Sequence, residues 1–123
     1  MAILLTALAL FGGSSSADLH ITVWPEGQQG PRHVWTLGCS PTSGTLPQAD
    51  AACTRLERFS TNPFAPVPRG TFCSQIFSGP EEALVTGMFR GSRVWARFNR
   101  QDSCQTARWN RIKFLFVTSA ATK

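Results

Sequence analysis

Histidine is scarce in this chain. His20 and His33 are the only two, and 123 residues hold just seven carboxylates. Nucleophilic hydrolysis needs a base within hydrogen-bond reach, itself oriented by a third group. Each histidine instead lies among strand-forming hydrophobes, in Leu19-His20-Ile21 and His33-Val34-Trp35, so a place on a sheet surface is the simpler reading. No His-Glu-x-x-His pair, phosphate-binding glycine loop or acidic metal loop occurs. The adjacent Glu81 and Glu82 would point to opposite faces of a strand, which is wrong for a carboxylate dyad. No close Cys-x-x-Cys pair is present and both histidines lie upstream of the cysteines, so the spacing of a zinc site is missing too. These gaps describe a non-enzymatic chain with no catalytic residue, no metal and no cofactor expected.

Beyond the first dozen residues there is no apolar run long enough to cross a membrane. The run from Ala2 to Phe11 is itself too short for that and breaks into Gly12-Gly13-Ser14-Ser15-Ser16-Ala17. Ser15 and Ala17 are small residues at the spacing a signal peptidase prefers. Residues 1–17 are therefore expected to be a signal peptide cut before Asp18, although no Lys or Arg precedes the apolar run. Residues 18–123 are expected to form one exported, extracellular domain.

Four cysteines agree with export. An even count in a short exported chain implies disulfides, and sequence alone permits three connectivities. Pairing neighbours, Cys39 with Cys53 and Cys73 with Cys104, would close two loops. The chain-entropy argument assigns the shorter about 3 kcal/mol and the longer somewhat more.

The formal charge is +5, and most of the cations are arginines, among them Arg90, Arg93, Arg97, Arg100, Arg108 and Arg111. Arg93 and Arg97 share one strand face with Trp95, an arrangement also found on nucleic-acid-binding surfaces. A solvated sheet face is the commoner explanation, and export removes nucleic acid as a partner. The charge is read as serving solubility and steering.

Along the chain, Leu19 to Trp24 alternates as a first strand and Arg32 to Cys39 as a second. Ser40 to Thr45 is loop by composition. From Pro47 the period changes: Ala49, Ala52, Cys53, Leu56 and Phe59 recur at helical spacing, with Pro47 and Asp50 suited to the first turn. Asn62-Pro63 would end that helix, and Pro63, Pro66 and Pro68 keep the next segment extended. Ala83 to Phe89 and Ser92 to Phe98 flank an Arg90-Gly91 turn as a hairpin, with Val94, Ala96 and Phe98 on one face and Trp95 and Arg97 on the other. Gln105 to Asn110 is expected as a short helix, Ile112 to Phe116 as a last strand, and residues 117–123 as a fraying tail. Strands joined by hairpins and outnumbering helices indicate an α+β domain with a mainly antiparallel sheet.

One segment stands apart. Thr71-Phe72-Cys73-Ser74-Gln75-Ile76-Phe77-Ser78-Gly79-Pro80 is uncharged, and its apolar side chains lie between a proline-rich lead-in and a Gly-Pro exit. A buried edge strand beside a structural disulfide is the plain alternative. A cysteine-anchored loop offering Phe72, Ile76 and Phe77 around a polar Gln75 also suits presentation to another protein's cleft.

Here the residues carry a resemblance. Cys39-Ser40-Pro41-Thr42-Ser43-Gly44-Thr45-Leu46-Pro47 and Ala52-Cys53-Thr54-Arg55-Leu56 resemble the first disulfide region of the Streptomyces subtilisin inhibitor (SSI-like) family. Cys73-Ser74-Gln75-Ile76-Phe77 stands where that family carries its reactive loop, with Gly79 an additional residue before Pro80. Val85 to Val94 is similar to the family's central hairpin, and Phe98-Asn99-Arg100, Cys104, Arg108-Trp109-Asn110 and Phe114-Leu115-Phe116 extend the likeness.

The resemblance implies a secreted inhibitor of subtilisin-like serine endopeptidases. Its fold would be a five-stranded antiparallel sheet with two helices and disulfides Cys39–Cys53 and Cys73–Cys104, assembled as a homodimer. The reactive bond would be Gln75–Ile76, with Phe72, Cys73, Ser74, Gln75, Ile76 and Phe77 forming the protease-binding loop. A non-inhibitory exported binding module, stabilised by the same disulfides, is the alternative.

Overall fold

The computed structural model describes residues 15–119; residues 1–14 of the expected signal segment and residues 120–123 of the tail lie outside them. Strand β1 (Ala17–Trp24) alternates buried Ala17, Leu19, Ile21 and Val23 with polar residues facing outward. It pairs antiparallel with β2 (His33–Cys39) on one side and with β3 (Gly79–Phe89) on the other, and β4 (Ser92–Arg100) follows β3 through a tight turn. The sheet order is β2-β1-β3-β4. Arg90 and Gly91 both have positive φ, 51° and 83°, as a two-residue hairpin turn matching the strand twist requires. Gly87, at φ 129°, lies so close to the β1 backbone that a Cβ would collide with the Asp18 carbonyl oxygen.

The α+β class, the two helices and both disulfides agree with the expectation, but the sheet has four strands and not five. The missing strand is Ile112 to Phe116. Helix α2 (Ser103–Arg111) runs to its edge, and a 3-10 turn over Lys113–Leu115 follows. Amides of Ile112, Leu115 and Phe116 donate to Trp109, Ile112 and Lys113, so the backbone groups a ladder would need are consumed locally. Ile112, Leu115 and Phe116 are buried, a three-then-four spacing that belongs to a helical turn rather than a strand. Val117, expected in a fraying tail, is half-buried, and its carbonyl accepts from the Trp35 indole at 2.8 Å.

Helix α1 (Ala49–Glu57) turns Ala52, Cys53 and Leu56 inward, and Cys53 bonds Cys39 at the end of β2. Its last carbonyls, Leu56 and Glu57, accept from the Arg90 guanidinium, a favourable placement for a cation. Helix α2 packs beside β4 and brings Trp109 against Phe116, ring centroids 4.5 Å apart, with Phe116 tilted on Phe98 at 5.4 Å. All this covers one face of the sheet. The opposite face is open, and Val34, Met88 and Trp95 are exposed there. No described helix is long and apolar enough to cross a membrane.

Strand β1 begins at Ala17, one residue before the expected processing point. Ser16 is also tied in, donating to the Cys39 carbonyl and accepting from the Arg90 amide.

Candidate functional site

The site is built around the segment between the Pro68–Thr71 turn and the start of β3. Prolines 63, 66 and 68 keep the chain from regular structure after α1, and it reaches Thr71 as an extended strap. Arg108 of α2 holds the strap's first part. Its guanidinium is buried, donating to the carbonyls of Phe64 at 3.4 Å and Ala65 at 3.0 Å, to Arg97 on β4 at 3.0 Å and to Gln105 Oε1 at 2.8 Å. It also lies 4.3 Å from the Phe98 ring centroid. Burial, and secondarily the charge of Arg111, lower its pKa from the usual arginine value. Carbonyl acceptors and the aromatic face take the place of a carboxylate partner.

From Cys73 onward the chain is pinned at both ends and free in the middle. Cys73 is bonded to Cys104, the second residue of α2. That helix starts with a strong N-cap, Asp102 accepting from the Gln105 amide at 2.8 Å, so the sulfur anchor sits on a fixed support. The Ser74 amide donates to Ser103 Oγ and the Ser103 amide donates to the Ser74 carbonyl, each at 2.9 Å. On the far side, the Ser78 amide donates to the Arg100 carbonyl at 2.8 Å. Arg100 in turn pairs with Glu81 at 2.9 Å, and Gly79 enters β3 opposite Arg100. The ladder shifts register between Gly79 and Glu82, β3 advancing from Gly79 to Glu82 while β4 steps from Arg100 to Asn99, an irregularity of the β-bulge kind.

Between those anchors, the backbones of Gln75, Ile76 and Phe77 make no hydrogen bond among the described residues. The apolar side chains here point into solvent: Phe72 is 89% exposed, Ile76 64% and Phe77 59%. Gln75 is exposed as well, its amide reaching only the nearby Cys73 carbonyl at 3.4 Å. An uncharged segment with unpaired backbone groups and exposed apolar side chains at fixed positions is a template for strand-like pairing with another protein. The buried-edge-strand alternative does not describe it.

The structure brings all the sequence-predicted loop residues, Phe72 to Phe77, onto one protruding segment, with all four cysteines bonded as expected. Ser103, Arg100 and Arg108, which hold that segment or its lead-in, were missed as site residues by sequence reasoning. Ser103 had one signal, its place beside Cys104. His20 lies on the open sheet face, and His33 stacks near Trp35 with ring centroids 6.2 Å apart. The one grouping of potential metal-ligand atoms among the described residues is Cys73, Asp102 and Cys104. Its two sulfurs are bonded to each other and its carboxylate caps α2, so it offers a cation no thiolate.

No curated protein matches the chain significantly. A protein-family model described as Subtilisin inhibitor-like matches residues 15–102, most of the chain, spanning β1 through the N-cap of α2 and including the whole exposed loop. On that match, the chain belongs to the subtilisin inhibitor-like family.

Proposed function

We propose that this protein is a secreted inhibitor of subtilisin-like serine endopeptidases that binds them as a substrate does, with Gln75–Ile76 as the reactive bond. The observation that carries the reading is the free backbone of Gln75 to Phe77, strung between the Cys73–Cys104 and Ser74–Ser103 ties and the Ser78–Arg100 bond. A protease cleft binds an extended segment by backbone hydrogen bonds and alternate side-chain pockets. A loose peptide loses ordering entropy on binding, whereas a segment already held loses less, and more of its contact energy appears as affinity. In this pose Gln75 enters the primary specificity pocket. Phe72 and Ser74 contact the acyl side, and Ile76 and Phe77 the leaving side. Such protease–inhibitor contacts bury roughly 1,600 Å² in total.

The same ties account for slow turnover. When the protease serine attacks the Gln75 carbonyl, an acyl-enzyme forms and the Ile76 amine is released. In a peptide that amine diffuses away. Here Ser78 remains bonded to Arg100 and the chain runs directly into β3, so the amine stays beside the ester. Religation then competes with hydrolysis. The inhibitor needs no catalytic group of its own, and a family role as inhibitor rather than enzyme fits this.

Secretion is consistent with two disulfides and no free cysteine. A homodimer is proposed as the assembled form. Val34, Met88 and Trp95 leave the open sheet face more apolar than a solvated face needs, and a second copy is the partner proposed for it. The inhibitor reading is tested by titrating subtilisin with the folded, oxidised protein and locating any cut by mass. Stoichiometric loss of activity supports it; an enzyme unaffected by a saturating excess refutes it.

A further inference from the structure

The tip of the strap is the dipeptide Arg69-Gly70. Pro68 to Thr71 forms a turn in which the Pro68 carbonyl accepts from the Thr71 amide at 3.3 Å and the Thr71 hydroxyl at 2.7 Å, with Gly70 at φ 81°. Arg69 is exposed and makes no hydrogen bond, ion pair or ring contact among the described residues. A Cβ placed on Gly70 would meet nothing within 4 Å. Beneath the strap lies an open hollow of about 410 Å³, lined in part by Pro66, Val67, Pro68, Thr71 and Ala107. The turn is not packed down onto the core.

Arg90 and Arg58 are better held. Arg90 is tied to Leu56 and Glu57, and the Arg58 amide caps α1 by donating to Arg55 and Leu56. Arg32 follows Pro31 directly and leads into β2. Trypsin-like proteases cut after an extended cationic residue and need several residues around it to unfold locally. Opening the Pro68–Thr71 turn breaks two hydrogen bonds to one carbonyl and exposes no fully buried side chain.

We propose that Arg69–Gly70 is the bond through which trypsin-like proteases disarm this inhibitor, an inference that rests on the inhibitor reading above. Water adds across the peptide bond, leaving a carboxylate on Arg69 and an ammonium on Gly70. Gly70-Thr71-Phe72 then becomes the new chain end leading into Cys73, whose bridge to Cys104 is the nearest remaining anchor. Phe72 loses its covalent link to Phe64 and Ala65, which Arg108 fixes. The acyl side of the loop becomes a free end, and the ordering advantage of the intact loop is lost.

The test uses the full oxidised protein, treated with limiting trypsin that is then removed on a benzamidine resin. Cys39–Cys53 and Cys73–Cys104 each lie on one side of the cut. The expected product therefore separates under denaturing conditions, without reduction, into two fragments, one beginning Gly70-Thr71-Phe72. Their masses sum to the intact chain plus one water. Its inhibition of subtilisin should be weaker by about tenfold or more. Arg69→Gln should resist the cut and keep full inhibition. First cleavage elsewhere, or a cut form as potent as the uncut, overturns the proposal. If the uncut protein leaves subtilisin active, it is the inhibitor reading that has failed, and the disarming role falls with it.

Discussion

Ser74 and Ser103 hold each other by two hydrogen bonds of equal length. The Ser74 amide donates to Ser103 Oγ and the Ser103 amide donates to the Ser74 carbonyl, both at 2.9 Å. One residue contributes its side chain and its backbone to fix the residue immediately before Gln75. Ser103→Ala removes the first of these bonds and keeps the second. Its net loss is about 1 kcal/mol, so affinity for subtilisin should fall several-fold while clipping after residue 75 accelerates. Thermal unfolding should shift down by only about a few degrees. A matching control is Asp102→Ala, which removes the α2 cap and should cost about 0.5–2 kcal/mol of stability in a denaturant titration.

Opening the Cys73–Cys104 bond should have the larger effect. With Cys73→Ser and Cys104→Ser together, the chain-entropy argument gives a stability loss of about 3–4 kcal/mol for a loop of this length. Below the melting transition, the double variant should be cut by subtilisin as a substrate. Cleavage followed by mass spectrometry on the folded protein checks this, and a variant that remains a lasting inhibitor would remove the disulfide from the account.

Under the proposed assignment, Gln75 would govern which protease is held. A trypsin-type pocket carries a buried carboxylate, and a neutral amide leaves it poorly paired at a cost of about 1–3 kcal/mol. A broad, mostly apolar subtilisin pocket has no such requirement. The unmodified protein should therefore inhibit subtilisin more strongly than trypsin, and Gln75→Lys should shift the preference toward trypsin. Parallel titrations of the two enzymes measure both, and tighter trypsin binding by the unmodified protein contradicts the assignment of Gln75.

The open sheet face predicts self-association. Trp95 is 64% exposed, with the Arg97 guanidinium carbon 5.2 Å from its ring centroid in a cation–π contact. Trp95→Glu replaces this exposed ring with a charge and should shift a dimer to monomer in sedimentation experiments. Inhibition per chain should be unchanged, because the exposed Phe72–Phe77 loop is tied to α2 and to the Arg100 end of β4 and not to this face.

Much of this architecture was legible because the relevant signals are local. The alternation of Leu19, Ile21 and Val23, the positive-φ turn at Arg90-Gly91 and the helical stripe of Ala52, Cys53 and Leu56 each report one element. Strand β3 proved longer than its alternation suggested, starting at Gly79 rather than Ala83, because the bulge before Glu82 interrupts the pattern. The strand expected over Ile112 to Phe116 gives way to a 3-10 turn for a related reason. Five largely apolar residues in a row suit either period, and only the spacing of Ile112, Leu115 and Phe116 favoured a helical turn. For the loop, cysteine and turn chemistry marked the segment, but its exposure depends on what fails to pack against it. The supporting contacts from Ser103, Arg100 and Arg108 are tertiary, and no periodicity encodes them.

The most direct measurement is residual subtilisin activity against dose of the folded, oxidised protein, with the reaction mixture weighed over time. The account predicts activity falling linearly to near zero around equimolar protein, while the bond after residue 75 is cut only slowly. Full activity alongside rapid, complete cutting of the loop would contradict it.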